Sequence, residues 1–259
     1  MILKATDIHL RRGDNTVLKG VDFRLSMGEM IGLIGPNGAG KTSLLRCLVG
    51  LERPERGEIR LGDKPLAHWP ARALASEIAY LAQSAACHWP MAVERIVALG
   101  RLPHLGSWQS PAATDMAAVE QAMAATDVAH LRHRQATALS GGEQARVQLA
   151  RSLAVGARGL FADEPVAGLD PGHQIQVMEL LRDHARSGHA VVIVLHDLTL
   201  AARYCSRLVL MAEGKVAAEG SPAEVMTPGN LAAVYGIAAR IETHDNGLLV
   251  VPAGLAHSR

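Results

Sequence analysis

The chain has 259 residues, 49% of them hydrophobic but only 3% aromatic, so Ala, Leu and Val must fill its core. At 20% charged residues it is far from a disordered composition, and 26 Lys+Arg against 25 Asp+Glu leave no electrostatic footprint for nucleic acid as the main partner. Its length allows one large α/β domain, or a domain with a subdomain.

In chain order, residues 1–30 alternate in a strand-like way around the breaks "RRGDN" and "SMGE", which predicts short antiparallel strands. "MIGLIG" reads as a buried strand, "TSLLRCLVG" as a helix closed by Gly50, and "GEIRLGDKPL" as a hairpin. Residues 86–158 are rich in Ala, Val, Leu and Met at helical spacing, and Pro90, Pro103 and Pro111 punctuate them. They read as a helical subdomain inserted into the α/β core. The strand–helix alternation then resumes with "GLFADEP", "HQIQVMELLRDHARSG", "AVVIVLHD" and "LTLAARYC", followed by the hairpin "RLVLMAEGKVAAEG". "SPAEVM" opens a further helix with Ser221 as N-cap and Pro222 at the first position. "IETHDNGLLVVP" carries an Asp-Asn-Gly turn between two strand patterns, in a short tail over 221–259.

Cys47, Cys87 and Cys205 are far apart and show no zinc spacing, which points to a reducing compartment and no structural metal. The N-terminus becomes charged before a signal-peptide core develops. The longest clearly apolar strand-like run is "AVVIVL", against the roughly 20 residues of a membrane-spanning helix. A cytoplasmic protein that does not itself span a membrane is expected.

Three stretches carry chemistry. "GPNGAGKT", residues 35–42, stands between a strand and a helix, the context of a phosphate cradle. Its glycines let the backbone approach an anion, and N–H groups from about Gly38 to Thr42 point at the β-phosphate. Lys41 would bridge the β- and γ-phosphates, and the Thr42 hydroxyl would bind Mg²⁺. An ordinary tight turn accounts for a glycine or two, but not for Gly-x-x-x-x-Gly-Lys-Thr. In "LFADEP", an apolar strand ends in two acids at a sheet edge. Asp163 is placed to hold Mg²⁺ through water, and Glu164 to polarise an attacking water. In "LSGGEQARVQLARSLA", Ser140, Gly141 and Gly142 precede a strong helix, a second anion site at a helix N-terminus.

Together these stretches resemble the ATP-binding subunits of ABC transporters. "GPNGAGKT" is similar to Walker A (Gly35, Pro36, Asn37, Gly38, Ala39, Gly40, Lys41, Thr42, then Ser43), "LSGGE" to the family signature, and "LFADEP" to Walker B. "AGLDP" resembles the D-loop with Asp170 as its acid, "LAQ" the Q-loop ending at Gln83, and "VLHD" the switch region with His196. Six motifs in family order span residues 35–197, and the flanking strands extend the resemblance to nearly the whole chain. It implies an α/β P-loop NTPase core of the ABC ATPase type, with an N-terminal antiparallel β subdomain and an inserted α-helical subdomain, all in one ATP-binding domain over 1–259.

The resemblance also implies a mechanism. ATP and Mg²⁺ are the cofactors, with Thr42, Gln83 and Asp163 on the metal side. Two copies pack head to tail, each ATP lying between one Walker A and the other copy's signature. Glu164, His196 and Gln83 are the catalytic set; Gln83 senses the γ-phosphate and links it to membrane permease subunits. A periplasmic or extracellular substrate-binding protein takes part indirectly, nucleic acid takes none, and the subunit sits at the cytoplasmic face of the inner membrane. Two departures stand out. Walker A reads Lys-Thr-Ser, where Lys-Ser-Thr is commoner in the family. Where family members stack an aromatic on adenine, "LRRGDN" puts Arg12, whose guanidinium can also stack on a base.

"VERIVALGRLPHLG", residues 93–106, resembles the importer ATPases for iron–siderophore, haem and vitamin B12, in which "V-x-x-G-R-x-P" is typical. The expectation is therefore the ATPase motor of a metal-chelate importer, with the coupling element near residues 84–106. The alternatives are the motor of an exporter or of an importer with another cargo, a soluble ATP-dependent switch on DNA or ribosomes, and a non-hydrolysing nucleotide-binding module. The chain lacks the long coiled coil or second cassette of the soluble relatives, and Glu164 and His196 argue against the last reading.

Overall fold

The computed structural model describes residues 3–83, 90–106, 109–245 and 247–256. It divides into two compact units, Met1–His68 with His184–Arg259, and Trp69–Asp183.

The first unit begins with β1 (Leu3–Arg12) and β2 (Asn15–Leu25), followed by β3 (Met30–Ile34), α1 (Lys41–Leu48), β4 (Arg56–Leu61) and β5 (Lys64–Pro65). β1 pairs antiparallel with both β2 and β4, and β4 turns back on β5, giving the order β2-β1-β4-β5. This is the antiparallel N-terminal subdomain and hairpin that the alternation predicts. Every residue of β3 is buried, as a strand covered on both faces must be.

The second unit holds α2 (Ala71–Glu77), β6 (Ile78–Leu81), α3 (Val93–Ala98), α4 (Ala113–Ala125), α5 (Gly141–Ala154) and β7 (Gly159–Asp163), and α6 (Pro171–Arg186) begins in it. β6 and β7 run parallel, Ile78 opposite Gly159 and Leu81 opposite Ala162. The helices α3, α4 and α5 share an apolar core that includes Val93, Val97, Val119, Met123 and Val147.

The chain then returns to the first unit through β8 (Ala190–Val194), α7 (Leu198–Tyr204), β9 (Arg207–Ala212), β10 (Lys215–Gly220), α8 (Pro222–Val225), α9 (Pro228–Tyr235), β11 (Ile237–His244) and β12 (Gly247–Leu255). β3 lies between β8 and β9, parallel to both, and β10 folds back antiparallel on β9. At the start of α8, Ser221 donates both its N–H and its hydroxyl to the Glu224 carboxylate (2.7 and 2.8 Å), so the acid three residues on, which Ser-Pro-x-Glu supplies, closes the helix entry. β11 and β12 form the terminal hairpin. Among the described residues no helix is long and apolar enough to cross a membrane.

The stretch "GRLPH" has a structural explanation. A Cβ on Gly100 would lie 2.2 Å from the backbone oxygen of Arg151 on α5, so glycine is what allows this close approach. Arg101 then donates from Nη1 to the carbonyls of Ala154 and Val155 (2.8 Å each), at the C-terminus of α5. His104 Nε2 donates to Val155 O as well (2.7 Å). Orphan carbonyls and the negative end of the helix dipole are thus met by a cation and a ring N–H. Arg101 Nε also donates to Asp115 Oδ1 (2.9 Å), while Asp115 Oδ2 accepts the Ala112 N–H (2.9 Å) at the start of α4. That backbone N–H first, and the guanidinium second, hold the Asp115 carboxyl below its usual range.

Gly100→Ala should therefore force backbone against backbone. The expected cost is roughly 1–3 kcal/mol of unfolding free energy, the scale of overpacking a tight core. Chemical denaturation of purified wild type and variant measures it; an unchanged midpoint would contradict the close approach.

Candidate functional site

The phosphate-cradle stretch connects buried β3 to α1 in the first unit. Gly35 (φ +144°) opens it, and a Cβ there would sit 2.2 Å from Met211 O, so the first glycine is fixed by packing against β9. Asn37 and Gly38 are exposed at the tip, while Ala39 and Gly40 are buried at its base. Gly40 is the N-cap of α1 in the left-handed region and has no side chain to cap with, so no residue of its own blocks the helix end. The Leu44 N–H donates to Gly40 O (2.8 Å) as the helix starts, and the N–H groups of its first turn point out of the helix end. Lys41 is 6% exposed, and its Nζ donates to Gly35 O (2.7 Å) and Pro36 O (3.0 Å) across the loop. The ammonium is therefore held at the loop's mouth. Thr42 is half-buried and Ser43 buried in the first turn.

Because β3 and β8 are parallel and in register (Leu33 opposite Val194), the chain leaves both at the same edge. The cradle follows β3 there, and the exposed His196 follows β8 two residues past its end. Asp197 then accepts the Leu200 N–H (2.8 Å) as N-cap of α7, which fixes the backbone beside His196.

Arg12 ends β1, and its guanidinium is engaged. Nε donates to Glu52 Oε1 (2.9 Å) and Nη2 to Glu52 Oε2 (2.5 Å), a two-pronged pair across 40 residues. This pairing raises the Arg12 pKa and lowers that of Glu52. The plane of the guanidinium is thus fixed by a partner that sequence reasoning did not find, because nothing local marks Glu52.

In the second unit, β6 and β7 are parallel, so Gln83 and Asp163 emerge at one edge. Asp163 ends β7 and is 1% exposed. Glu164 follows in the left-handed region (φ +54°), a conformation that costs a non-glycine residue free energy and aims its side chain away from the strand. Asp163 and Glu164 line a cleft of about 170 Å³ together with Gly141, Gln144 and Gln148 of α5. The structure thus brings the start of the signature helix to the two acids of Walker B. Gln144 and Gln148 were missed in the sequence; their spacing of four on one helix face is the signal that was available.

Ser140 is the exposed N-cap of α5. Its Oγ accepts the Glu143 N–H (3.3 Å) and its own N–H donates to Glu143 Oε2 (2.7 Å). Those hydrogen bonds, the backbone N–H foremost, hold the Glu143 carboxyl below its usual range. Part of this helix end is therefore satisfied by the chain itself, and Gly141 beside it is open. Asp170 caps α6, accepting the His173 N–H (3.1 Å) and pairing with the His173 ring; that ring contact is the main cause of its lowered pKa. Among the described residues no group of three or more His, Cys, Asp or Glu is arranged to hold a metal ion.

Comparison with known proteins agrees with these motifs. A family model described as ABC transporter matches residues 18–167. The hemin import ATP-binding protein HmuV of Pseudomonas aeruginosa is 43% identical over 248 residues, 94% of this chain and 96% of its own. The protein of the same name from Streptomyces coelicolor is 45% identical over 254 residues, 97% of this chain and 90% of its own. Among solved structures, a metal-chelate type ABC transporter in an inward-facing conformation shares the fold, with a TM-score of 0.83 at 24% identity over 98% of this chain and 97% of that one. The chain belongs to the ABC transporter family, as one of its ATP-hydrolysing subunits.

Proposed function

We propose that this subunit powers import of a metal chelate, haem being the favoured cargo, through separate membrane permease subunits. The observation that carries this is the likeness, over nearly the full length of both chains, to relatives named as hemin import ATP-binding proteins. The subunit would act as a peripheral protein on the cytoplasmic face of the membrane, as a head-to-tail pair. A substrate-binding protein on the far side would deliver the cargo, and nucleic acid has no part. An apolar, proline-punctuated stretch after Gln83 is the proposed docking element. Residues 84–89 of it lie outside the described residues, and Leu99 and Leu102 within it are exposed.

In this reading the Walker A N–H groups and Lys41 bind the ATP phosphates. The oxygen donors of Thr42, Gln83 and Asp163 are the set a hard cation takes, and they would hold Mg²⁺, which neutralises phosphate charge. Arg12, held flat by Glu52, offers its face to the base. Glu164 orients the attacking water and accepts its proton, and His196 contacts the γ-phosphate. Ser140, Gly141 and Gly142 of one copy complete the site of the other.

Lys41→Ala removes a cation from a site crowded with negative charge. Titration with a fluorescent ATP analogue should show affinity reduced by at least about tenfold, as loss of a charge-assisted contact implies; unchanged affinity contradicts the cradle.

Glu164→Gln keeps the shape but loses the base. Turnover should fall by about 100-fold or more with ATP binding retained. If steady-state ATPase stays at the wild-type level, the assignment fails.

In a Glu164→Gln background, cysteines at Ser140 and Gly38 should crosslink two chains when ATP is bound. Intrachain products alone would rule out the shared site. Reconstitution with the permease and hemin tests the cargo, since ATPase stimulated by another chelate but not by hemin would reassign it.

A further inference from the structure

His196 stands two residues before α7, a helix of seven residues. A helix that short has little stability of its own, so what packs on it decides where it lies. Ahead of His196 the chain is fixed by the Leu195 N–H, which donates to Leu33 O on β3 (3.1 Å). Behind it, the contact is with the C-terminal hairpin. Thr199, half-buried in the first turn of α7, accepts the Val250 N–H at Oγ1 (3.2 Å) and donates the same hydroxyl to Val250 O (3.1 Å). One side chain therefore meets both backbone groups of a β12 residue that is 5% exposed. β11 and β12 form a sheet of two strands, so β12 keeps an edge that β11 does not cover, and Thr199 stands there in place of a third strand.

The tail reaches α7 at a second point and the cradle at a third. A Cβ on Gly247 (φ +105°), where β12 begins, would lie 3.3 Å from Cα of Arg203, four residues after Thr199 and so on the same face of α7. Tyr235 ends α9 and leads through Gly236 into β11, and the Ala256 N–H donates to Gly236 O (2.8 Å), closing the hairpin on that point. The Tyr235 hydroxyl is buried and makes no hydrogen bond among the described residues. Burial pushes its pKa up to about 12, and the Gly35 N–H at the entrance of the cradle works against that rise, so the phenol lies beside the loop. Residues 235–256 thus touch the loop that follows β3 and the helix that follows β8. Those are the two exits that carry Lys41 and His196.

We propose that the C-terminal hairpin is part of the frame of the ATPase site, with Thr199 as a positioning residue that holds His196 beside the cradle. This rests on the assignment of His196 to the γ-phosphate. The hairpin carries no motif residue; it fixes one motif relative to another. A valine at 199 has the same shape but leaves the N–H and C=O of Val250 without that partner, so the hydroxyl is what ties α7 to β12. Loosening the tie frees the first turn of α7 and the histidine two residues before it. The rate then falls through misplacement, while phosphate binding by the cradle and Lys41 is kept.

The test uses the full-length protein and the variants Thr199→Val, Thr199→Ala, Thr199→Ser and His196→Ala. Thr199→Val should lower kcat by about tenfold or more, with affinity for a fluorescent ATP analogue within about twofold of wild type. Thr199→Ala, which is smaller and also lacks the hydroxyl, should do the same. Thr199→Ser keeps the hydroxyl and should keep kcat within about twofold of wild type. In a His196→Ala background, Thr199→Val should cause no further loss, because the residue it positions has gone. Wild-type kcat in both hydroxyl-free variants, beside an inactive His196→Ala, overturns this inference alone. So does an equal loss in Thr199→Ser, or a further loss in the His196→Ala background, since neither runs through the hydroxyl and the histidine. If neither hydroxyl-free variant folds, the contact serves the fold and the inference is likewise overturned. Wild-type turnover in His196→Ala overturns the assignment of His196, and with it this inference.

Discussion

The guanidinium of Arg101 is the contact that holds the helices behind the acid cleft of the second unit. It closes the C-terminus of α5 through Ala154 and Val155 and ties it to the N-terminus of α4 through Asp115. Both helix ends present groups of the sign that needs it, carbonyl oxygens on one and a capping carboxylate on the other. At 14% side-chain exposure for Arg101 and 9% for Asp115, water screens the pair little. The residues facing Asp163 and Glu164 lie at the other end of α5, so the axis of that helix sets the geometry of the acid cleft. A shift at its C-terminus is carried along a rigid rod of 14 residues to Gly141. Since Gly100, Arg101 and His104 grip that C-terminus, a stretch of the chain proposed to dock on a permease is mechanically continuous with the signature.

The two helix N-termini proposed as anion sites are not alike. α1 begins at a bare glycine, with Lys41 at the mouth of the loop. α5 begins at a serine whose hydroxyl and N–H are already taken up by Glu143, so the chain places a negative charge of its own in the first turn. An anion meets an attractive end at α1 and a partly neutralised one at α5. In the proposed reading the difference orders the two in strength: the first would grip phosphate by itself, and the second would contribute once the phosphate is already held. This is the hierarchy that a site completed by a second copy requires.

The motifs were legible in the sequence because their chemistry is made by backbone at fixed spacing. A loop that surrounds phosphate with N–H groups needs glycines where the chain turns, and the sequence shows them directly. Hairpins were legible for the same reason, through Gly62 and Gly214 in their turns. What could not be read was every contact made by approach in space. Glu52 pairs with Arg12 across 40 residues, and Arg101 reaches Ala154 across 53. Neither partner is distinguished by its neighbours. "GRLPH" was legible as a family resemblance, but not as the clamp on α5. Its glycine has no positive φ to announce it and is required by a backbone that arrives 51 residues later.

Where polar groups are buried shows where the fold has been bent to chemistry. The first unit fills its sheets with Val, Leu, Ile and Met, and its buried polar side chains among the described residues are Lys41 and Ser43, both in the cradle helix. The others, Asp115, Thr126, Arg146, Gln148, Ser152 and Asp163, all lie in the second unit. Thr126 and Ser152 are satisfied locally by the carbonyls four residues before them, and Asp115 by Arg101 and a backbone N–H. Local satisfaction makes such groups structural, because their partners move with them. Among the described residues Gln148 has no such partner for its oxygen, and it stands at the cleft of the two acids. A side chain whose own helix leaves it unsatisfied gains its full hydrogen bonding only through neighbours on other elements.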